Sequence, residues 1–188
     1  GTTGESPTLS HAEHQKVIEE VVAAVAGRIP VIAGAGSNNT VEGISLMRHA
    51  EKVGATAALV VTPYYNKPTQ AGLIAHFTAL HDCCALPIVI YNIPGRTGTN
   101  LQTETLARLV EIPNIVGVKE ASGSLKQMSE VVRLCGPDFS VLSGDDIFTL
   151  ALMAIGGAGV ISVISNVAPR DMAEMVDSFS AGDLSKAR

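Results

Sequence analysis

The 188-residue chain carries 46% hydrophobic residues and a formal charge of −5, with 13 Lys+Arg against 18 Asp+Glu. That is the balance of a folded globular protein of about one domain, and it excludes a disordered chain. No cluster of Lys and Arg stands anywhere in it, so neither nucleic acid nor an anionic membrane is expected as the main partner, and a small molecule is.

In chain order, "GTTGE" opens as the loop after a strand whose body is absent. Ser10 with Glu13 three residues later forms a capping box ahead of the helical pattern "HQKVIEEVVAAVAG". The run "IPVIAGAG" (29–36) is then the first of several short, β-branched, nearly continuous apolar stretches, followed by "ATAALVVTP" (55–63), "LPIVIYNIP" (86–94), "NIVGVKEAS" (114–122), "FSVLSGDD" (139–146) and "AGVISVISN" (158–166). Each reads as a strand buried on both faces, as in a parallel sheet. Between them Thr40, Thr69, Thr103 and Asp146 stand where helices begin, and Pro169 suits a first helical turn. Gly54 and Gly136 sit where helix ends want a left-handed residue. "GGAG" (156–159) precedes its strand and reads as turn chemistry.

This alternation predicts a parallel α/β fold. A doubly wound sheet needs a glycine-rich phosphate turn after its first strand, and "GAGSNN" (34–39) has two glycines of such a turn and lacks the third. The expected architecture is a (β/α)8 TIM barrel, present as a fragment from the end of strand 2 through strand 8 and the following helix. Residues 1–188 then form a partial barrel domain, with the first strand and helix and the C-terminal helices lying outside it. An open barrel edge exposes apolar surface and unpaired backbone, so this stretch expressed alone is expected to aggregate or to lack activity.

Cys83 and Cys84 are adjacent and Cys135 is distant, which is neither a disulfide framework nor a metal knuckle and fits a reducing, cytoplasmic compartment. No apolar run approaches the ~20 residues that span a bilayer.

Polar residues at the C-terminal ends of barrel strands are candidates for chemistry. Lys119 is the sharpest, because "IVGV" sets it at the end of an apolar strand. Desolvation there lowers its pKa and leaves a neutral amine able to attack a carbonyl. The plainer alternative is a lysine that snorkels out or pairs with Glu120. Schiff-base chemistry also needs a proton carrier, and all three tyrosines, Tyr64, Tyr65 and Tyr91, fall at strand ends. Any one of them can equally pack its ring and wet its hydroxyl. Arg96 offers a planar fork for a carboxylate or is a plain loop arginine. "SGDD" can hold a divalent cation, or Asp146 can cap a helix. All five histidines fall in helical stretches, so no metal is expected for catalysis.

Together "GTTGES", "VTPYYNKP", "YNIPGRTG", "GVKEASG" and "SGDD" resemble the dihydrodipicolinate synthase family of pyruvate-dependent class I lyases and aldolases, in order over essentially the whole chain. The resemblance implies a barrel that condenses pyruvate with aspartate semialdehyde in lysine biosynthesis, with no cofactor beyond the lysine itself. It implies that Lys119 forms the Schiff base, that Tyr91 exchanges protons, and that Thr2 and Tyr65 complete a hydroxyl relay with Tyr91. Tyr65 would reach the active site of a neighbouring subunit, which requires a homo-oligomer, a dimer or tetramer. Thr3, Arg96 and Ile161 would bind substrate, with Thr3 on the pyruvate carboxylate and Arg96 on that of the semialdehyde. Sister enzymes such as N-acetylneuraminate lyase share the lysine and the tyrosine but typically have "GSTGE" and lack the arginine, so Thr2 and Arg96 favour the synthase. Gly95 and Ile93 depart from the serine and valine common in the family. His11, His14, Asn38, Glu42 and Tyr64 match the positions that bind feedback lysine in inhibited members.

Overall fold

The computed structural model describes residues 2–188. The β-branched runs form six strands: β1 (Ile32–Gly34), β2 (Ala57–Val61), β3 (Ile88–Asn92), β4 (Ile115–Glu120), β5 (Ser140–Ser143) and β6 (Gly159–Val160). All pairings are parallel, and the strand order is the chain order. Sequential order leaves no switch point of the kind a dinucleotide-binding sheet uses. Right-handed crossovers then put every connecting helix on the same face, so the sheet curls. This is the arrangement of the (β/α)8 barrel, to which the described residues contribute six strands.

The helices are α1 (His11–Val25), α2 (Thr40–Lys52), α3 (Gln70–Cys83), α4 (Pro94–Thr97), α5 (Thr103–Leu109), α6 (Leu125–Cys135), α7 (Thr149–Ala154), α8 (Pro169–Ser180) and α9 (Leu184–Ala187). Their starts follow side-chain chemistry. Ser10 and Glu13 make the expected capping box, and Thr69 caps α3 by accepting from the Gly72 N–H. Thr40 and Thr103 are first helical residues rather than caps, and Asn39 caps α2. Pro169 opens α8, and Gly54 and Gly136 take positive φ after α2 and α6.

Strand alternation divides the sheet into two faces. On the convex face Val60, Ile90, Val118 and Val141 stand side by side in register, all buried. They join Met47, Leu73, Phe77, Leu80, Met128 and Val131 from the helices in one continuous core. On the concave face the corresponding row is Val61, Tyr91, Lys119, Leu142 and Gly159. The "GAGSNN" turn after β1 carries the chain across the end of β2. Gly36 is there because a Cβ would lie 2.5 Å from the Val61 backbone nitrogen, so the loop can make that crossing only without a side chain.

Candidate active site

The concave row delivers Lys119 and Tyr91 to the same height on neighbouring strands. Their pairing in register brings the Lys119 Nζ to 4.2 Å from the centroid of the Tyr91 ring. Lys119 is 8% exposed. Burial pushes its ammonium pKa below the usual lysine range, while the carboxylates of Asp145 and Asp146 oppose the shift. Burial also raises the Tyr91 phenol, with Arg96 acting against it and Asp145 with it, so Tyr91 stays protonated as a hydroxyl at neutral pH. The pair therefore joins a lysine biased toward its neutral, nucleophilic form to a proton-bearing phenol.

Lys119 does not pair with Glu120, the partner that a simple salt bridge would require. Adjacent strand residues point to opposite faces, and Glu120 is turned into the convex side, 1% exposed. Its Oε1 accepts from the Ser122 N–H at 2.7 Å, and its Oε2 accepts from Asn92 Nδ2 at 3.0 Å and Gln127 Nε2 at 3.5 Å. Asn92 in turn accepts from the Leu101 N–H at 3.0 Å and donates to Asn100 Oδ1 at 2.9 Å. Glu120 thus anchors the ends of β3 and β4 behind the lysine and closes the 93–101 loop onto its own strand. The sequence reading missed this role, although strand alternation alone places Lys119 and Glu120 on opposite faces.

Gly144 is the second residue missed. A Cβ there would stand 2.6 Å from Ala121 Cβ and 3.2 Å from both Cγ and Cε of Lys119. The glycine makes room for the lysine side chain.

Arg96 lies in α4, a single helical turn, and is exposed on the rim. The Tyr65 N–H donates to the Thr97 carbonyl at 3.3 Å, which ties the loop carrying Tyr64 and Tyr65 to the loop carrying Arg96. Tyr65 holds φ 71 and is 89% exposed. A non-glycine residue there carries strain, and the ring is presented outward. Thr2 and Thr3 stand in a 3-10 turn, both exposed. Among the described residues no hydrogen bond links Thr2 or Tyr65 to Tyr91, so the three hydroxyls are not a connected chain within one subunit. Ile161 follows β6, and its N–H donates to the Ser143 carbonyl at 2.9 Å.

The Asp146 carboxylate is not a helix cap. Its Oδ2 accepts from the Val163 and Ile164 N–H groups at 3.1 and 3.2 Å and holds the loop after β6 against the end of β5. Asp145 stands at the cap position without a side-chain cap bond.

The residues matched to a lysine site gather at the β1 and β2 rim. His11 Nε2 lies 3.1 Å from Glu42 Oε1, and Ser37 Oγ donates to the other Glu42 oxygen. Asn38 Nδ2 donates to the Tyr64 carbonyl at 3.2 Å, and His14 Nε2 meets the Gly34 carbonyl at 2.9 Å.

Comparison with known proteins gives this geometry its context. The model of the dihydrodipicolinate synthetase family matches residues 1–188. The 4-hydroxy-tetrahydrodipicolinate synthase of Syntrophus aciditrophicus is 63% identical over 188 residues, covering 100% of the chain and 65% of that protein. A dihydrodipicolinate synthase of Acinetobacter baumannii, solved in complex with pyruvate, superposes with TM-score 0.96 at 47% identity, over 100% of this chain and 64% of that one. The enzyme from Cyanidioschyzon merolae, solved with lysine bound, gives TM-score 0.95 at 46% identity with 100% and 64% coverage. The chain therefore spans about two thirds of the length of the relatives it matches.

Proposed function

The chain belongs to the dihydrodipicolinate synthetase family, and we propose on that premise that it carries the catalytic centre for condensing pyruvate with aspartate semialdehyde to 4-hydroxy-tetrahydrodipicolinate in lysine biosynthesis. The observation that carries this reading is the buried Lys119 amine held over the Tyr91 ring at the strand ends. The neutral amine attacks the ketone carbon of pyruvate, and loss of water gives the imine. Deprotonation at the methyl group forms the enamine, whose carbon attacks the aldehyde, and the alkoxide so formed takes up a proton. The amino group of the semialdehyde then adds to the iminium carbon, which closes the ring and expels the Lys119 amine unchanged. Tyr91, with its proton retained, donates at the carbinolamine and takes the proton back at the enamine step. Asp145 and Asp146 supply negative charge beside the iminium cation. Thr3 holds the pyruvate carboxylate, Ile161 lines the same pocket, and the Arg96 fork holds the second acid in near-attack geometry.

The exposed, left-handed Tyr65 suits a role across a subunit interface, where it completes the relay with Thr2 and the neighbouring Tyr91 in a homodimer or tetramer. The three free cysteines fit a cytoplasmic setting. No helix among the described residues is long and apolar enough to cross a membrane.

The test is borohydride reduction in the presence of pyruvate on the polypeptide as its gene encodes it. A stable adduct on the Lys119 peptide is expected, together with turnover of aspartate semialdehyde. Absence of the adduct would end the Schiff-base reading. Turnover of N-acetylneuraminate or a 2-keto-3-deoxy sugar acid instead would reassign the enzyme to a sister activity.

A second binding reading has its own observation. His11, Ser37 and Glu42 are already joined, with Asn38 and Tyr64 beside them. The carboxylate of Glu42 suits an ammonium and the Asn38 amide a carboxylate, so free lysine as a feedback inhibitor fits this cluster; the Cyanidioschyzon merolae relative was solved with lysine bound.

A further inference from the structure

The pair Cys83–Cys84 has no part in the chemistry above. It closes the C-terminal end of α3 and precedes β3, so it lies at the opposite end of that strand from Tyr91. The two sulfurs are 3.6 Å apart, with the Cys83 thiol donating to Cys84. Both side chains are half-buried against the core and remain within reach of solvent. Their backbone is tied on every side. Arg48 Nε donates to the Cys83 carbonyl at 3.4 Å, Asn114 Nδ2 to the Cys84 carbonyl at 3.4 Å, and the Ala85 N–H donates to Glu51 Oε1 at 2.8 Å. The thiols are therefore presented by a fixed frame.

That frame disfavours a disulfide. Ordinary disulfides hold their Cα atoms ~4.4–6.8 Å apart, whereas neighbours across a trans peptide are ~3.8 Å apart. A bridging atom is a different matter. One that is bonded to each sulfur at ~2.3 Å, the length of a zinc–thiolate bond, near the tetrahedral angle holds the sulfurs ~3.7 Å apart. The observed spacing already matches such a bridge. Zinc itself is poorly served, because a structural zinc site takes four protein ligands and no group of three or more His, Cys, Asp or Glu gathers among the described residues. A centre that brings its own third substituent and needs two sulfurs fits.

We propose that Cys83 and Cys84 form a preorganised dithiol that takes a trivalent arsenical, R–As(OH)2, as a two-sulfur chelate. Both As–O bonds break and two As–S bonds form. The two thiol protons leave on the hydroxides as two waters, and arsenic stays trivalent, so no oxidant or reductant is needed. Burial foremost, and then Cys84, pushes the Cys83 thiol up to about 12, so Cys83 enters the exchange with its proton. Cys135, buried and alone, has no second sulfur to complete a chelate.

The probe is phenylarsine oxide, added to the folded polypeptide as its gene encodes it and followed by intact mass and peptide mapping, with circular dichroism to check each variant. One adduct is expected on the peptide holding both cysteines. It should survive a monothiol such as 2-mercaptoethanol and be removed by 2,3-dimercaptopropanol. Cys83→Ser and Cys84→Ser should each weaken binding roughly a hundredfold or more, the order gained when a second attachment becomes intramolecular, and Cys135→Ser should leave it unchanged. No adduct on the native chain, or an adduct held equally well by either single variant, would overturn the proposal. So would recovery of the pair as an alkylation-resistant disulfide.

Discussion

Replacing Glu120 by Gln changes one atom in the anchor behind Lys119, and its cost can be worked from the bonds. An amide presents one acceptor where the carboxylate presents two. If its oxygen takes the Ser122 N–H, its NH2 faces the donors of Asn92 and Gln127. If it is flipped, Ser122 is left facing an amide nitrogen. Asn92 Nδ2 and Gln127 Nε2 each keep a second acceptor in Asn100 Oδ1, so the loss is close to one charge-assisted bond at a 1% exposed site, about 2 kcal/mol. For a chain of this length that lowers Tm by roughly 4–8 °C, measured by thermal unfolding with circular dichroism. Adding Asn92→Asp gives the new NH2 an acceptor while the Leu101 N–H keeps one, so the double variant should recover part of the loss in a mutant cycle. A Glu120→Gln protein within about 0.5 kcal/mol of the parent, the range of a plain surface change, would refute the anchoring role, as would a cycle with no favourable coupling. Pyruvate trapping at Lys119 should survive the single variant, because Glu120 faces away from the amine.

Two further outcomes follow from buried contacts. His76 is 5% exposed, its Nδ1 meets Thr40 Oγ1 at 2.9 Å and its Nε2 has no partner, so burial lowers its pKa from 6.5 to about 4. The unfolded chain then binds more protons than the folded chain between those values. Stability is full above pH 6.5 and is lost as pH falls through 4, by about 3 kcal/mol from this group. Urea midpoints of His76→Gln should lack this part of the acid slope, and an identical slope would refute the assignment. Gly144→Ala forces the new methyl against Lys119 Cγ and Cε, which should slow pyruvate trapping roughly 10–100-fold through misplacement of the amine. An unchanged trapping rate would show that the lysine does not need that space.

What could be read beforehand divides along a physical line. All six strands were legible because a strand buried on both faces needs an unbroken apolar run, and each run contains one strand, down to the two residues of β6. Capping at Ser10 and Thr69 was legible because the side chain that satisfies a helix N-terminus is local in sequence. Lys119 and Tyr91 were legible as strand-end residues, yet their meeting depends on the β3 and β4 register, including the irregularity at Ile88 and Val89 that brings Gly117 opposite Val89. No local pattern encodes that shift.

Glu120, Asn92, Gln127 and Asn100 come from three different stretches, and only folding makes them one network. Proximity in sequence offers Glu120 only as an alternative partner for Lys119, and the period of the strand already separates the two. The same rule clarifies Asp145 and Asp146: neighbours in sequence, they divide their work, and the second holds the 163–164 backbone. A strand-end pair such as Lys119–Glu120 thus does two jobs because it must face two ways. Its first member is open to the barrel interior, where burial favours the neutral amine. Its second is turned into the helical layer, where donors must surround any charge it carries. Chemistry on one side and anchoring on the other follow from one residue of offset.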